Sequence, residues 1–189
     1  VAIISDLEAS SSLSHLAHHD ILTGLPNRLL LEARLQHTLE RAHRLGEQAA
    51  VLFMDLDGFK AVNDAEGHAE GDAVLVEVAR RLKLAVRSID TVSRLGGDEF
   101  VIILDHVHNP MDAADVANRL LSAFDEPFVA GENRYPVGAS IGMSLYPAQA
   151  KKGVDLIHNA DLAMYAAKAA GKGCYRMFDP SMTSKDLGR

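Results

Sequence analysis

The unbroken apolar run from Ala49 to Met54 limits the folds open to this chain more than any other segment. It lies between segments whose hydrophobic residues recur at spacings of three and four, which is typical of amphipathic helices. A short apolar run without polar alternation predicts a β-strand that is buried on both faces. Such a strand belongs inside a sheet that carries helices on its faces.

The rest of the sequence alternates between these two kinds of pattern. Helical spacing predicts α-helices over Asn27–Leu45, Asp72–Val86, Asp112–Phe124 and Asp155–Ala170. Strand-like runs occupy Thr91–Leu95, Phe100–Leu104, Val137–Leu145 and Tyr175–Phe178. The first two strands are joined by Gly-Gly-Asp-Glu and predict a β-hairpin. We therefore expect an α/β (α+β) fold, a central mixed sheet of about five strands flanked by helices.

Length and composition suggest one globular domain with short extensions. The chain has 189 residues, 48% of them hydrophobic, which is enough for a sizeable core. We predict a connector helix over residues 1–19, a compact domain over 20–178, and a flexible tail or linker to a further domain over 179–189. Val1 is not an initiator residue, so we expect a piece of a longer protein. No apolar run approaches the ~20 residues that span a bilayer, and no membrane insertion is expected.

Charge and cysteine content narrow the classes of function. Nineteen Lys and Arg against 26 Asp and Glu give a net charge of −7, which argues against a broad basic surface for a nucleic-acid polymer. Cys174 is the single cysteine, so the chain has no internal disulfide framework. A single cysteine fits a reducing compartment, and we expect a cytoplasmic protein.

Two pairs of carboxylates lie at the ends of predicted strands. Asp55 and Asp57 follow the buried strand, and Asp98 and Glu99 lie in the hairpin turn. If the two strands are neighbours, Asp55 and Asp98 converge, and converging carboxylates need a cation such as Mg²⁺ or Mn²⁺ to stay charged together. Either segment alone is more typical of a solvated acidic turn or of an ordinary Gly-Gly hairpin.

Several polar residues fit nucleotide binding but also have ordinary structural explanations. Asn63 and Asp72 could read the edge of a guanine, although Asp72 by its spacing is more typical of a helix N-cap. The helix start after Gly58 can offer free backbone amides to phosphate. Lys168 and Lys172 share a helix face, where they would either clamp a polyphosphate or complement the helix dipole.

At residues 94–100 (RLGGDEF) the sequence resembles the GGDEF-domain family of diguanylate cyclases, which condense two GTP into cyclic di-GMP. The resemblance extends in order over residues 18–178, through the segments 20–28 (DILTGLPNR), 53–60 (FMDLDGFK), 63–64 (ND), 67–68 (GH), 140–142 (SIG), 160–168 (ADLAMYAAK) and 171–172 (GK). It implies a nucleotidyl-cyclase or polymerase-palm-like fold whose β-hairpin carries the GGDEF string.

The resemblance also implies roles for individual residues. The catalytic residues would be Asp55, Asp98 and Glu99. Two Mg²⁺ or Mn²⁺ ions per half-site would be held by Asp55, Asp98 and the backbone carbonyl of Leu56. The GTP-binding residues would be Phe59 and Lys60 in a phosphate loop, Asn63 and Asp72 at the guanine, Gly96 and Gly97 beside the nucleotide, and Lys168 and Lys172 at the triphosphate.

The pair Arg87 and Asp90 lies where the family places a site for inhibition by its product. An Arg-x-x-Asp pair is otherwise common as a surface salt bridge of little energetic value. Lys172 stands where many members have Arg, and Gly173 stands where Asn is usual. We expect these two departures to lower the affinity for substrate at most, since neither residue is a metal ligand.

The family mechanism implies that the 3′-hydroxyl of one GTP attacks the α-phosphate of another, with pyrophosphate as leaving group. Each domain holds one GTP, so the catalytic unit would be a homodimer. The partners implied are GTP, cyclic di-GMP, a sensory domain and, as an option, a phosphodiesterase domain. The location would be the bacterial cytoplasm, free or as part of a membrane-attached protein. Two alternatives stay open: an inactive member that binds GTP or cyclic di-GMP, and a different nucleotidyl cyclase or palm-like enzyme.

Overall fold

The structure is a computed structural model that describes residues 17–182. The predicted connector helix over residues 1–19 and the tail over 179–189 therefore lie mostly outside the described residues. In chain order the elements are α1 (Arg28–Leu45), β1 (Gln48–Asp57), α2 (Phe59–Glu66), α3 (His68–Ala85), β2 (Thr91–Gly96), β3 (Glu99–Val107), α4 (Pro110–Ser122), β4 (Phe128–Ala130), β5 (Asn133–Tyr135), β6 (Gly138–Tyr146), α5 (Gly153–Ala169) and β7 (Tyr175–Met177).

The central sheet has five strands in the order β2-β3-β1-β6-β7. Strand β1 lies in the middle and runs antiparallel to both β3 and β6, whereas β7 at the edge runs parallel to β6. The strands β4 and β5 form a separate two-stranded antiparallel ribbon. The mixed sheet of the sequence analysis is confirmed, and its hairpin is β2–β3.

Both faces of the sheet are covered, which explains the unbroken apolar run in β1. Leu52 and Met54 belong to a core cluster that includes Val78 of α3 and Ala117 of α4. Val51 and its neighbours on the opposite face belong to a second cluster, built with helices α1 and α5. Successive side chains of a strand point to opposite faces, so a strand between two helical layers must be apolar at every position.

Helix α1 begins and ends as its sequence predicts. The side chain of Asn27 accepts a hydrogen bond from the Leu30 backbone amide at 3.1 Å, which caps the amino end of the helix. Gly46 ends the helix in the left-handed conformation at φ +67°, which glycine adopts without a Cβ clash. Leu31 and Leu35 lie on its buried face against α5 and the sheet.

Two predicted boundaries are wrong in ways that affect the site. Strand β1 continues through Asp57, because β6 pairs with it as far as Gly138 and supplies backbone partners for this polar end. Helix α3 begins at His68 with Gly67 as its N-cap residue, so Asp72 lies inside the helix and is not its N-cap. Gly67 at φ +90° makes the break between α2 and α3.

The ribbon β4–β5 has no counterpart among the predicted elements. Each of its strands has only three residues, too few to show alternation in the sequence. Carboxylates at the junction of α2 and α3 hold it: Glu66 accepts hydrogen bonds from Tyr135 Oη at 2.6 Å and Asn133 Nδ2 at 2.7 Å, and Glu70 accepts one from the Gly131 amide at 2.8 Å. These bonds tie the ribbon to the corner between the two helices.

Arg81 ties α3 to the end of α4, and Glu77 orients it. Arg81 Nη1 donates to the carbonyl oxygens of Ala123 at 3.0 Å and Glu126 at 2.7 Å, and its guanidinium lies 4.0 Å from the ring centroid of Phe128. Glu77 Oε1 accepts from Arg81 Nε at 2.9 Å. Hydrogen bonding to Arg80 above all, and also to Arg81, lowers the pKa of Glu77 to about 2 against the opposing effect of burial.

We expect Glu77→Gln to destabilise the fold modestly and in a pH-dependent way. The folded-state pKa is lowered, so the contribution of the carboxylate is complete above its ordinary value of 4.5 and is lost as the pH falls towards about 2. Because the pair is partly solvated, the loss at pH 7 should be no more than about 1 kcal/mol. Urea unfolding at pH 7 and pH 3 measures it, with exposed Glu132→Gln as the control. An equal difference at both pH values would contradict the ion pair as its cause.

Candidate functional site

The carboxylates of the sequence analysis meet where β1 and β3 run side by side. The two strands are neighbours, and the Cα of Asp55 lies opposite that of Glu99. The backbone amide of Leu56 donates to the backbone carbonyl of Asp98 at 3.3 Å, which joins the two segments directly. The condition set by the sequence analysis for convergence of Asp55 and Asp98 is therefore met.

Asp55 is half-buried, and the pKa of its carboxyl is shifted by its surroundings. Burial raises the pKa of its carboxyl, the hydrogen bond from Lys168 lowers it, and the like charge of Asp98 raises it again, so that the net shift is upward. Lys168 Nζ lies 2.6 Å from Asp55 Oδ1. The ionised form of Asp55 is thus disfavoured by burial and by its neighbour, and a bound cation would favour it.

These oxygen donors suit a hard divalent cation. Within residues 17–182 there is no group of three or more His, Cys, Asp or Glu side chains arranged to hold a metal ion. A metal here would use the two carboxylates of Asp55 and Asp98, the carbonyl of Leu56, and oxygens from substrate or water. Mg²⁺ is bound in this way, through one or two carboxylates with other oxygens completing its coordination. The residues present therefore fit the predicted cation.

The turn between β2 and β3 is fixed by an arginine that the sequence analysis did not single out. Arg94 donates through Nε and Nη2 to the Gly97 carbonyl at 3.0 and 2.8 Å, and through Nη1 to both carboxylate oxygens of Asp20 at 2.9 and 3.0 Å. Gly96 and Gly97 adopt φ +144° and +51°, which side-chain-bearing residues rarely adopt. No atom lies within 4 Å of a Cβ built on either glycine, so the space beside the turn is open.

Four of the residues predicted to bind GTP lie on α2 and α3: Phe59, Lys60, Asn63 and Asp72. Gly58 is the N-cap residue of α2 at φ +85° and has no side chain, so α2 begins without a side-chain cap. Lys60 is exposed in the first turn of this helix. Asn63 packs against Gly71: a Cβ on Gly71 would lie 1.9 Å from Asn63 Oδ1 and 3.4 Å from Phe59 Cζ. Phe59, Asn63 and the segment containing Asp72 are therefore adjacent.

The second lysine of the predicted triphosphate clamp lies in the turn after α5. Gly171, Lys172 and Gly173 all have positive φ, at +118°, +65° and +60°. The Gly173 amide donates to Asp57 Oδ2 at 3.1 Å. The prediction that Lys168 and Lys172 share a helix face is wrong, because α5 ends at Ala169 and leaves Lys172 in the turn after it. Of the two lysines, Lys168 pairs with Asp55.

A scan against family models matches residues 17–174 to "Diguanylate cyclase, GGDEF domain". The chain belongs to the GGDEF family of diguanylate cyclases. The bifunctional diguanylate cyclase/cyclic di-GMP phosphodiesterase MucR of Pseudomonas aeruginosa is 47% identical over 176 residues, which make up 93% of this chain and 26% of MucR. The diguanylate cyclase TpbB of the same organism is 40% identical over 93% of this chain and 42% of TpbB. This GGDEF chain therefore spans less than half the length of these relatives.

Solved GGDEF structures share the fold described above. A truncated TpbB that comprises only the GGDEF domain superposes with a TM-score of 0.86 at 40% identity, covering 91% of this chain and 100% of that one. The coiled coil and GGDEF domain of DgcB from Caulobacter crescentus, solved in complex with cyclic di-GMP, gives a TM-score of 0.81 over 93% of this chain and 94% of that one. At 23% identity it shows the fold alone. Among residues 17–182 of the GGDEF chain, no helix has the length and apolar character to cross a membrane.

The Arg-x-x-Asp pair of this GGDEF domain lies at the end of β2 remote from the glycine turn. Asp90 accepts from the backbone amides of Arg87 at 3.0 Å and Asp105 at 3.1 Å, so its carboxylate joins the turn to β3. Arg87 is exposed, and together with Arg34 and Lys83 it lines a cavity of about 360 Å³. The cavity thus combines three cationic side chains with one carboxylate.

Proposed function

We propose that the domain is an active diguanylate cyclase that condenses two GTP into cyclic di-GMP and two pyrophosphates in a reaction dependent on Mg²⁺ or Mn²⁺. The observation that carries the proposal is the meeting of Asp55, Asp98 and Lys168 at one end of the central sheet. Two carboxylates beside a lysine offer sites for cations and for phosphate oxygens together. Membership in the family supports the same reaction.

GTP would be held by three sets of groups together with these carboxylates. Asn63 and Asp72 offer amide and carboxylate groups that match the edge of guanine. The backbone amides at the start of α2, with Lys60, would bind the phosphates. Lys168 and Lys172 would bind the distal phosphates, with Lys168 exchanging its bond to Asp55 for one to phosphate.

The reaction needs no covalent intermediate with the protein. The 3′-oxygen of one GTP bonds to the α-phosphorus of the other, the bond from that phosphorus to the pyrophosphate oxygen breaks, and the reciprocal step closes the ring. Two cations held by Asp55, Asp98 and the Leu56 carbonyl would neutralise charge at the α-phosphate and acidify the attacking hydroxyl. Glu99, whose Cα lies opposite that of Asp55, would receive the hydroxyl proton.

One domain offers one guanine-binding corner, so the reacting unit would be a homodimer whose two sites face each other. The relative MucR carries a phosphodiesterase function besides its cyclase, which supports further domains in the whole protein. We place the protein in the bacterial cytoplasm, where GTP is available.

Asp98→Ala should abolish the synthesis of cyclic di-GMP.

The expected result with purified protein, GTP and Mg²⁺ is cyclic di-GMP, identified by mass spectrometry, with two pyrophosphates released per product. A chelator should stop the synthesis and Mn²⁺ should restore it. ATP in place of GTP should give no cyclic product. Saturable binding of cyclic di-GMP without synthesis would favour the binding-module alternative, and a product from ATP would favour a different cyclase.

We also propose that Arg87 and Asp90 form a site for inhibition by cyclic di-GMP, with Arg34 and Lys83 in the same cavity available to its phosphates. Arg87→Ala should raise the cyclic di-GMP concentration needed for half-inhibition at least about tenfold, because a charged hydrogen bond is worth about 1.5–3 kcal/mol. Initial rates at increasing product, scaled to the uninhibited rate of each variant, measure this shift. Arg44→Ala, an exposed charge on α1, is the control. Inhibition unchanged in Arg87→Ala would place the site elsewhere.

A further inference from the structure

The turn that carries Lys172 has a backbone that must be held in place. Its three residues 171–173 all lie at positive φ, and the central one is not glycine. A lysine at φ +65° is unusual, because its Cβ crowds the backbone in the left-handed region. Such a conformation persists only where surrounding contacts fix it.

Three hydrogen bonds fix this turn. The Lys172 amide donates to the Ala167 carbonyl and the Gly171 amide to the Lys168 carbonyl, each at 3.2 Å, which ends α5. The third bond comes from outside the helix: the Gly173 amide donates to Asp57 Oδ2 at 3.1 Å. Three residues accept these bonds, and of these Asp57 lies in the central sheet. Asp57 therefore links the turn to the sheet.

Asp57 is itself held by the sheet. The hydroxyl of Ser140, fully buried in β6, donates to the same Oδ2 atom at 2.8 Å. Asp55 and Asp57 are two residues apart in β1, so both side chains project from the same face. Asp55 contacts the Lys168 ammonium and Asp57 contacts the Gly173 amide. The two carboxylates thus hold both ends of the segment from Lys168 to Gly173.

We propose that Asp57 is a positioning residue that sets where Lys172 meets the triphosphate, and that it is not a third metal ligand. The inference rests on the proposed function in so far as Lys172 binds phosphate. The Oδ2 atom of Asp57 already accepts two hydrogen bonds. Asp55, Asp57 and Asp98 do not form a group arranged to hold a metal, among the residues that the structure describes.

The experiment compares Asp57→Ala and Asp57→Asn with the unaltered protein in initial-rate synthesis of cyclic di-GMP. Asp57→Ala should raise KM for GTP about 5- to 20-fold, since a charged acceptor is lost from the turn, and should change kcat no more than about threefold. The Mg²⁺ concentration for half-maximal rate should stay unchanged. Asp57→Asn keeps an oxygen acceptor and should restore most of the loss in KM. The control Asp115→Asn removes an exposed charge on α4 and should leave KM as it is.

A binding measurement separates this proposal from the proposed function. Asp57→Ala should weaken a non-reactive GTP analogue by a similar factor and leave GMP binding unchanged, because Lys172 would contact only the distal phosphates. If the unaltered protein makes no cyclic di-GMP, the proposed function fails. If it does, and Asp57→Ala loses kcat at least about 100-fold with a raised Mg²⁺ requirement, Asp57 is a ligand and the positioning role is overturned. If Asp57→Ala lowered the affinities for GMP and for the GTP analogue by the same factor, the positioning role would also be overturned.

If Asp57→Ala fails to fold, a second pair of variants tests whether the turn positions Lys172. No atom lies within 4 Å of a Cβ built on Gly173, so a substitution there acts through the backbone at φ +60°. Asn tolerates this region and β-branched Val does not. Gly173→Val should therefore raise KM for GTP as Asp57→Ala would, whereas Gly173→Asn should stay close to the unaltered protein. Equal KM values for both variants would contradict a role for the turn.

Discussion

Asp55→Asn is expected to lower the rate of cyclic di-GMP synthesis by at least about 100-fold, or about 2.7 kcal/mol in transition-state stabilisation. Asparagine keeps the size of the side chain and one oxygen but cannot carry the charge that a divalent cation requires. The loss should appear in kcat and persist at saturating GTP. Steady-state rates at several Mg²⁺ concentrations measure it, and more Mg²⁺ should not restore the rate.

The same substitution should not weaken the fold, which separates a chemical role from a structural one. The pKa of Asp55 is raised in the folded state, chiefly by burial. Its stabilising contribution is therefore present below the ordinary value of 3.8 and is lost as the pH rises through the folded-state pKa. At neutral pH the half-buried charge of Asp55 lowers the free energy of unfolding. Asp55→Asn removes this charge and should leave the urea midpoint unchanged or higher. Lys168, with its side chain 28% exposed, can turn to solvent.

A lower urea midpoint together with lost activity would indicate that Asp55 acts through the fold. Activity above about a tenth of the original rate would remove Asp55 from the metal-binding set. Asp115→Asn, an exposed carboxylate on α4, is the matched control and should change neither quantity.

The sequence was sufficient to predict the sheet because burial on both faces leaves an unmistakable pattern. Leu52 and its neighbours in β1 are apolar at every position since helices cover each side. The β2–β3 hairpin was predictable because its two glycines adopt backbone angles that other residues avoid. Local chemistry and tertiary structure agree in both cases.

Other features depend on contacts between distant segments, which no local pattern records. Strand β1 continues through Asp57 because β6 pairs with it there. The Asp20 carboxylate meets Arg94 across 74 positions of sequence, and no local pattern gives either residue a structural role. In the sequence Asp57 is one of several acidic residues, whereas its bonds to Ser140 and Gly173 exist only in the fold.

Gly142→Ala is expected to damage the fold severely, because the methyl group would meet backbone rather than side chain. A Cβ on Gly142 would lie 1.9 Å from the Ala160 carbonyl oxygen and 2.1 Å from the Met164 amide nitrogen, both in α5. Helix backbone cannot rotate away as a side chain can, so the whole helix must move off β6. We expect a loss of more than about 3 kcal/mol in the free energy of unfolding, or failure to fold.

Gly138→Ala on the same strand is the matched control, since the nearest atom to its added Cβ is Asp57 Cβ at 3.7 Å, an ordinary contact. It should change the free energy of unfolding by less than about 1 kcal/mol. Urea unfolding followed by circular dichroism measures both variants. If Gly142→Ala were no worse than Gly138→Ala, the close approach of α5 to β6 would be wrong. The position of Lys168 at Asp55 would then be in question as well, because α5 carries that lysine to the site.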